Sequence, residues 1–367
     1  MGKVTIIGSG HGACTAAAYL GKRGHEVCLY DSMAFENNLR DIKQKGGMNL
    51  TGADKGFGRI RKVTTDTEEA MQEANLVLVV VPAFGHVPIA KDIAPFLREG
   101  HIVVLAPGSV FGALEFMNNL IAFGLKREVI VGETASNYFA CRRIAPETCE
   151  IFGIKKMMPF ATIPSQSVEP ALAVLGNFFP NSVAWPNIIH TSFADLNAIV
   201  HPIASIMNAG RIEYTKGNYD FYWEGITEGV GRAMQAIDDE KIVVAKAMGF
   251  TVKSQLNLLH SFYGHPERDS LFLFFSQSEV NGGKGPSAPS NMKHRYITED
   301  VPYGLVPISE MGKVFNVPTP NIDAVINLCS VINQEDYRVS GRSIKNLRLS
   351  GMSKEEIISA LVKGISI

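Results

Sequence analysis

The amino-acid sequence predicts an α/β N-terminal domain, built on a doubly wound and mostly parallel sheet, followed by an all-α C-terminal domain. Strand-like and helical segments alternate with short connections through the first half of the chain, which is typical of βαβ units. After residue 180 strand-like runs become rare and the helical patterns lengthen. With 367 residues the chain exceeds what one hydrophobic core usually serves. We therefore expect two domains, at residues 1–183 and 184–367.

The first half supplies the strands and helices of the predicted sheet domain. Leu76–Val81 is a continuous apolar run rich in β-branched residues, which is typical of a strand buried on both faces of a parallel sheet. The other predicted strands are Val4–Ile7, Glu26–Tyr30, Ile102–Leu105 and Glu128–Val131. The predicted helices between them are Cys14–Lys22, Val87–Leu97 and Ala113–Phe123.

The second half supplies the helices of the C-terminal domain. They are predicted at Ile203–Glu213, Thr227–Met248, Val252–Phe262, Ile308–Phe315, Ile322–Ile332 and Lys354–Lys363. Ser353 and Glu356 form a capping-box pattern at the start of the last helix. An irregular, glycine-rich stretch at Glu279–Pro289 interrupts the domain, and loops of that length are usually functional or mobile.

The composition excludes several classes of protein. The chain is 46% hydrophobic with a net charge of -1, so neither disorder nor a basic field for nucleic acid or an anionic membrane is expected. The 5 cysteines include no Cys-x-x-Cys pair, which favours free thiols in a reducing compartment. The 9 histidines lack the spacing of a metal site, so no metal is predicted. Without a signal peptide or a transmembrane run, the protein is predicted to be cytoplasmic.

A glycine-rich turn directly follows the first predicted strand and opens the first helix. Its sequence is Gly8-Ser9-Gly10-His11-Gly12-Ala13, which satisfies the pattern G-x-G-x-x-G/A. Gly8 permits a tight turn, Gly10 lets a pyrophosphate approach the backbone, and Ala13 allows close packing of helix on strand. The phosphates would bind at the helix N-terminus, where N–H groups favour anions. The turn therefore predicts a Rossmann domain that binds a dinucleotide.

Asp31 ends the second strand about twenty residues after the turn, as the Rossmann pattern requires. A carboxylate there accepts hydrogen bonds from the adenosine ribose and repels the additional phosphate of NADP. Ser32 and Met33 follow, so no adjacent arginine neutralises that phosphate. NADH is therefore predicted over NADPH; the alternative is that Asp31 only caps a turn. Val81 and Pro82 end a strand at the expected cofactor crevice, where they would line the cofactor or simply terminate the strand.

The chemistry of the second domain depends on two segments that carry polar residues beside prolines. His201 precedes Pro202, which suggests a helix start or a kink that turns the ring toward a cleft. A lone histidine is more often structural, but a carboxylate that fixes its tautomer would make it a general acid/base. Asp300 lies in a Pro/Gly-rich loop together with Arg295 and is the candidate for that carboxylate.

At this point the sequence resembles the octopine/nopaline (opine) dehydrogenase family along essentially the whole chain. The resemblance implies a Rossmann domain joined to a helical domain. It also implies condensation of an amino acid with a 2-keto acid and reduction of the imine by NADH or NADPH. The motifs that carry it are Gly8-x-Gly10-His11-Gly12-Ala13, Tyr138-x-x-Cys141-Arg142, Asn197-x-x-x-His201-Pro202 and Arg295-Tyr296-x-x-Glu299-Asp300-Val301-Pro302-x-Gly304-Leu305-Val306-Pro307.

The resemblance also implies roles for individual residues. His201 would be the acid/base, Asp300 its orienting partner and Arg295 the group that holds a substrate carboxylate. Trp223, in the cluster Phe221-Tyr222-Trp223, would wall the amino-acid pocket or else belong to the core. Cys141 would border the same cleft or else be a buried thiol.

Two alternatives remain open from the sequence. One is a dehydrogenase of the 3-hydroxyacid, ketopantoate or glycerol-phosphate type, but such enzymes rely on a lysine in the first helices of the second domain. Residues 185–215 contain no lysine. The other is a non-catalytic NAD-binding regulator, which would not need a His, Asp and Arg set. The face of the last helix with Ile357, Leu361 and Ile365 would either pack on its own domain or pair with a second copy in a homodimer.

Overall fold

The computed structural model describes residues 1–264, 268–283 and 285–365. The chain forms two compact units. The first contains Met1–Gly108, Gly112–Thr191 and the chain from Leu361 onward, and the second contains Ser109–Phe111 and Ser192–Ala360. The main change of unit at Ser192 therefore comes later than the predicted domain start at residue 184, and the chain returns to the first unit at its end.

Two sheets are built from the strands of the first unit. The strands are β1 (Lys3–Ile7), β2 (Glu26–Tyr30), β3 (Gly47–Gly52), β4 (Gly56–Arg59), β5 (Lys62–Thr64), β6 (Leu76–Val79), β7 (Ile102–Leu105), β8 (Ile130–Thr134), β9 (Phe139–Ala145), β10 (Thr148–Ile154), β11 (Met158–Ile163) and β12 (Ser182–Ala184). Between them lie α1 (His11–Lys22), α2 (Glu36–Lys45), α3 (Thr67–Met71), α4 (His86–Ile93), α5 (Gly112–Ala122) and α6 (Val168–Leu175).

The larger sheet has the order β12-β11-β8-β7-β6-β1-β2-β5. β1 lies between β2 and β6 and pairs with both in parallel, so that Val4 faces Val27 on one side and Leu76 on the other. Only β11 runs antiparallel to a neighbour, β8. The strand order reverses at β1: the chain first adds β2 and β5 on one side of β1 and then crosses to add β6 on its other side. This confirms the predicted doubly wound, mostly parallel sheet, whose ligand crevice lies where the strand order reverses.

A second sheet, in the order β4-β3-β10-β9, was not predicted. It packs against α1, whose residues Ala16–Ala18 are small and buried. A Cβ on Gly58 would lie only 1.9 Å from the carbonyl oxygen of Ala18, so the helix and the sheet approach closely only because that position is glycine. The strands are rich in glycine and polar residues rather than in β-branched runs, which is why their pattern gave no strand signal.

Several predicted boundaries in the first unit are wrong by a few residues. The strand predicted at Leu76–Val81 ends at Val79, although the N–H of Val80 still donates to the carbonyl of Ile7 at the end of β1. The strand predicted at Glu128–Val131 is shifted to Ile130–Thr134. The helix predicted at Val87–Leu97 ends as an α-helix at Ile93 and continues as a 3₁₀ turn.

The second unit is helical, as predicted. Its helices, with α7 at the border of the units, are α7 (Ile188–Ser192), α8 (Leu196–Met207), α9 (Ala209–Thr215), α10 (Glu228–Ala247), α11 (Gln255–Tyr263), α12 (Leu271–Ser276), α13 (Arg295–Thr298), α14 (Val306–Phe315), α15 (Pro320–Asn333), α16 (Tyr337–Ser340) and α17 (Lys354–Lys363). A π-helical segment, Val301–Leu305, leads directly into α14. The described residues of the predicted loop Glu279–Pro289 form no helix or strand, and Lys284 lies outside the described residues.

The helix predicted at Ile203–Glu213 begins earlier, at Leu196, and is interrupted at Asn208. Asp195 caps it, with its Oδ1 accepting a hydrogen bond from the backbone N–H of Asn197 at 2.9 Å. Pro202 therefore lies inside α8 and not at its start. A proline inside a helix removes one backbone hydrogen bond and brings its ring against the carbonyl four residues earlier. Here the tertiary packing of a mostly buried helix outweighs that cost.

The last helix has the predicted capping box, and two residues of its apolar face are buried. The backbone N–H of Ser353 donates to Glu356 Oε2 at 2.7 Å, and the N–H of Glu356 donates to Ser353 Oγ at 3.2 Å. Ile357 and Leu361 are buried within the chain itself, so they are not available to a second copy. Within the described ranges, no helix is both long and apolar enough to span a bilayer.

Candidate active site

The glycine turn has the backbone geometry that a dinucleotide requires. Gly8 has φ of +117°, and a Cβ there would lie 2.5 Å from the carbonyl oxygen of Val80. Gly10 is the N-cap of α1, and no side chain forms a capping hydrogen bond there. A Cβ added to Gly10 would extend into open space. At Gly12 a Cβ would meet Asn137 Nδ2 at 2.2 Å. Ala13 is fully buried against the sheet. The open face at Gly10 and the uncapped helix end fit a pyrophosphate.

Asp31 lies at the end of β2 and is bonded directly to this turn. Its Oδ2 accepts a hydrogen bond from Ser9 Oγ at 2.5 Å, and its Oδ1 accepts one from the N–H of Ser32 at 2.8 Å. Asn38 Nδ2 donates to the same Ser9 hydroxyl at 3.1 Å. Burial raises the pKa of Asp31, and the hydrogen bond from Ser9 opposes that rise. The structure thus brings together two of the residues predicted to bind the cofactor.

The segment after β6 borders the same turn. A Cβ on Gly8 would lie 3.1 Å from Val81 Cγ1, so the side chain of Val81 packs beside the glycine. Pro82 follows and is half-buried. Val81 and Pro82 therefore lie where the cofactor crevice was predicted. His11, the remaining residue of the turn, accepts a hydrogen bond on Nδ1 from the backbone N–H of Arg143 at 3.0 Å.

In the second unit His201 and Asp300 form a buried hydrogen-bonded pair. The Nδ1 atom of His201 lies 2.7 Å from Oδ2 of Asp300. On the other side of the ring, Nε2 lies 3.0 Å from the hydroxyl of Tyr222. The ring of Tyr296 stacks on the imidazole with 3.8 Å between ring centroids and 15° between the planes. The imidazole is therefore fixed by a carboxylate, a phenol and an aromatic face.

The backbone around Asp300 explains how the pair forms. Asp300 lies between α13 and the π-helical segment, rather than in the irregular loop that was predicted, and its carbonyl accepts the N–H of Leu305 at 3.1 Å. A Cβ on Gly304 would lie 2.6 Å from Cβ of Ala198 in α8. The π segment thus approaches the helix that bears His201 closely. Single π turns inside helices occur frequently at functional sites.

Burial controls the protonation of the pair. It lowers the pKa of His201, and the nearby guanidinium of Arg295 lowers it further. Burial raises the pKa of Asp300. Burial also raises the pKa of Tyr222 well above its ordinary value, so the phenol keeps its proton beside Nε2. A neutral imidazole that donates from Nδ1 to the Asp300 carboxylate has its lone pair on Nε2.

Arg295 begins α13 and lies close to this pair. Its side chain is 56% exposed, and its Nη1 lies 4.0 Å from Oε2 of Glu299. Because the guanidinium is exposed and Glu299 is its distant partner, it has N–H donors left for the carboxylate of a substrate. Its planar shape allows two parallel hydrogen bonds to such a carboxylate. The predicted His, Asp and Arg set is therefore assembled within one unit.

Comparisons with known proteins agree with this arrangement. Residues 184–333 match the family described as NAD/NADP octopine/nopaline dehydrogenase, alpha-helical domain. Residues 3–135 match NAD-dependent glycerol-3-phosphate dehydrogenase N-terminus. An opine dehydrogenase of Arthrobacter sp. (strain 1C) is 37% identical over 97% of this chain and 98% of its own length. The chain belongs to the octopine/nopaline dehydrogenase family.

Solved structures of this family share the fold. A structure of octopine dehydrogenase in complex with NADH and agmatine has a TM-score of 0.79 at 18% identity, covering 100% of this chain and 99% of that one. A yersinopine dehydrogenase with NADP⁺ bound has a TM-score of 0.73 at 14% identity, covering 98% and 97% of the two chains.

Family membership confirms the predicted enzyme class, an NAD(P)-dependent oxidoreductase that acts on a CH–NH group. It also favours reductive condensation of an amino acid with a 2-keto acid over the two alternatives. The match to glycerol-3-phosphate dehydrogenase is confined to the first unit. The helical domain therefore distinguishes an opine dehydrogenase from a glycerol-phosphate dehydrogenase.

Two residues predicted to bind the substrate, Trp223 and Cys141, contact other residues of their own units. Trp223 packs its indole on Gly282 and Gly283, where an added Cβ would lie within 2.0 Å and 2.5 Å of the ring, and its Nε1 donates to the carbonyl of Ser278 at 3.2 Å. Tyr222, its neighbour, contacts His201 instead. Cys141 lies on β9, is half-buried, and packs against the hydrophobic core of the first unit.

Sequence reasoning missed several residues that surround the pair. Tyr222 was noted only as part of an aromatic cluster, and Tyr296 only as part of a motif. Two further carboxyl groups, Asp195 and Glu299, are also buried in this region. Burial and repulsion from Asp300 raise the pKa of Asp195. Within the part of the chain that the structure describes, no group of three His, Cys, Asp or Glu residues could hold a metal ion.

Proposed function

We propose that His201 is the acid/base of an opine dehydrogenase reaction in which an amino acid and a 2-keto acid condense to an imine that NADH reduces. The observation that carries the proposal is the 2.7 Å hydrogen bond between His201 Nδ1 and Asp300 Oδ2. It fixes the neutral tautomer whose Nε2 has a lone pair, and an acceptor of this kind is what the reaction needs at its amine.

The chemistry of the amine explains why a histidine serves twice. An amino acid arrives as an ammonium ion and must lose a proton before its nitrogen attacks the keto carbon. Nε2 accepts that proton, and Asp300 stabilises the imidazolium that forms. The adduct then loses the keto oxygen as water when Nε2 returns that proton to its hydroxyl group. The iminium that remains keeps one proton on its nitrogen, so its carbon accepts a hydride readily. The bound nicotinamide supplies the hydride, and the protein positions the reactants.

Arg295 has the complementary role of holding the keto-acid carboxylate. Its guanidinium is 56% exposed and lies near enough to lower the pKa of His201. A carboxylate bound there would partly neutralise its charge. Binding of the keto acid would therefore raise the pKa of His201 and make it a better acceptor for the ammonium proton. The two residues are thus linked electrostatically as well as by position.

The reaction is tested by supplying the substrates separately and together. NADH absorbance should fall quickly only when an amino acid and a 2-keto acid such as pyruvate are both present. Mass spectrometry should find a secondary-amine dicarboxylate that contains both carbon skeletons. Rapid consumption of NADH with keto acid alone, yielding a hydroxy acid, would contradict the proposal and favour the 3-hydroxyacid alternative.

We also retain three predictions that rest on the sequence. Asp31 predicts a preference for NADH, and five free cysteines support a reducing, cytoplasmic compartment. A homodimer would have to use a surface other than Ile357 and Leu361, because both are buried. Sedimentation velocity on the unliganded protein checks the last of these.

A further inference from the structure

Arg143, on β9, reaches across to the glycine turn from a distant part of the sequence. Its backbone N–H donates to His11 Nδ1, and its guanidinium donates to the carbonyls of three different segments. These bonds are Nη1 to Ser9 O at 3.3 Å, Nη2 to Asn38 O at 3.0 Å, and Nε to Pro146 O at 2.9 Å, with Nη2 also bonded to Pro146 O and Nη1 3.8 Å from Cys14 Sγ.

The partners of this guanidinium are unusual for an arginine. They are main-chain carbonyls and a thiol, and among the described residues no carboxylate lies within ion-pair distance of it. The carbonyls orient the guanidinium, but none of them carries a negative charge that would form an ion pair with it. That charge lies beside the turn whose N–H groups would receive two phosphates. Charges held near an anionic ligand add to its attraction, most of all at low salt.

The contact with Ser9 also has a geometric consequence. A phosphate-binding turn needs its N–H groups directed at the ligand and its carbonyls directed away. Arg143 holds the Ser9 carbonyl on the side of β9, while the Ser9 hydroxyl bonds to Asp31 on the other side. Asn38, whose carbonyl Arg143 also holds, donates to that same hydroxyl. One guanidinium therefore organises both the turn and the ribose carboxylate.

We propose that Arg143 is a positioning residue for the dinucleotide: it clamps the glycine turn from the second sheet and places a positive charge, which is in no ion pair among the described residues, beside the cofactor's pyrophosphate. The second sheet thereby acquires a function, because β9 and its turn at Pro146 form the scaffold of the clamp. The prediction concerns binding of the ADP half of the cofactor and is independent of which substrates react.

The experiment measures cofactor binding without any substrate. Arg143→Met removes the charge and the clamp, and Arg143→Lys keeps the charge without the planar fork. Arg59→Met is the matched control: it is an exposed arginine on β4 of the same sheet, with no side-chain hydrogen bond to a described residue. Dissociation constants for NADH come from protein-fluorescence quenching, and those for ADP-ribose, which has the pyrophosphate but no nicotinamide, from calorimetry.

Arg143→Met should weaken both ligands by about tenfold or more, the scale of losing hydrogen bonds to a charged group. Arg143→Lys should recover part of the loss, and Arg59→Met should lose less than twofold. Added salt should weaken NADH binding to the unmodified protein more than to Arg143→Met. At saturating NADH the turnover number should stay within about twofold, because the reacting groups lie elsewhere.

Two results would overturn the inference. One is NADH and ADP-ribose binding by Arg143→Met and Arg143→Lys within twofold of the unmodified protein. The other is a turnover loss at saturating NADH as large as the binding loss, together with a lowered melting temperature, since that pattern belongs to a residue that only supports the fold. Failure of the opine reaction itself would leave these binding measurements unaffected, so the two proposals fail separately.

Discussion

In the first unit, the residues from Gly8 to Ala13 form the glycine turn within a single stretch of chain, whereas in the second unit His201 and Asp300 meet across 99 residues. The turn works through backbone geometry, and its open helix end needs only small residues at fixed spacing. The pair works through two side chains whose distance depends on the packing of α8 against the π segment. The comparison suggests that binding and turnover can be perturbed separately.

The largest expected effect is on the pair. His201→Ala or Asp300→Asn should lower kcat by about 10²–10⁴, the usual scale of general acid–base catalysis. The dissociation constant for NADH should stay unchanged, because the turn lies in the other unit. The double variant should be little worse than the worse single one, since residues that act together are not additive. Near-normal turnover in His201→Ala would remove this residue from the mechanism.

Arg295 should show a smaller effect that is confined to one substrate. Arg295→Lys keeps the charge but loses the planar fork, so the KM for the keto acid should rise about tenfold, while kcat falls less. Lys293→Met, an exposed neighbour on the same segment, is the control and should change neither constant. An equal rise in the KM values of amino acid and keto acid would show that Arg295 does not select the keto-acid carboxylate.

The same comparison explains what the sequence could predict. β2 and β7 lie where their apolar runs placed them, and the glycine motif needed no tertiary information. By contrast, Pro202 suggested a helix start or a kink; it lies inside α8, where the burial of most of the helix outweighs the cost of the proline. Pro302 and Gly304 read as loop residues but form the π segment.

The contacts of the candidate site divide in the same way. The pairing of His201 with Asp300 was expected from a family motif, and the structure shows the contact. The roles of Tyr222 and Arg143 depend on which side chains converge in three dimensions, and no spacing rule reports that. Trp223 was expected either to wall the amino-acid pocket or to belong to the core, and its indole packs on Gly282 and Gly283.

A substitution at Asp31 in the first unit should change the preference between NADH and NADPH and leave proton transfer unchanged. Asp31→Ala should narrow the preference of kcat/KM for NADH over NADPH by about tenfold, because it removes repulsion of the additional phosphate. Adding Ser32→Arg should narrow it further or reverse it. The pH dependence of kcat should stay unchanged, since Asp31 does not contact the pair. Equal efficiency of the unmodified enzyme with both cofactors would contradict the role of Asp31.

The smallest effect should come from Tyr222, and it should appear in the pH profile. The phenol oxygen lies 3.0 Å from Nε2. We expect the phenol to donate to the lone pair of the neutral imidazole, which would lower the pKa of His201. Tyr222→Phe removes that bond, so the pKa of His201 should rise. Because the acceptor form is lost as pH falls through this pKa, the acid limb of kcat/KM should move to higher pH.

The size and the control of this shift follow from the structure. A hydrogen bond worth about 0.5–1.5 kcal/mol corresponds to a shift of up to about one pH unit. Tyr219→Phe is the matched control, since that buried hydroxyl has no hydrogen-bond partner among the described residues. If the acid limb of Tyr222→Phe moved to lower pH, or moved no more than that of Tyr219→Phe, then the phenol would not stabilise the neutral histidine. In that case burial and Arg295 would account for the lowered pKa of His201, and proton transfer would depend on His201 and Asp300 without a contribution from the phenol.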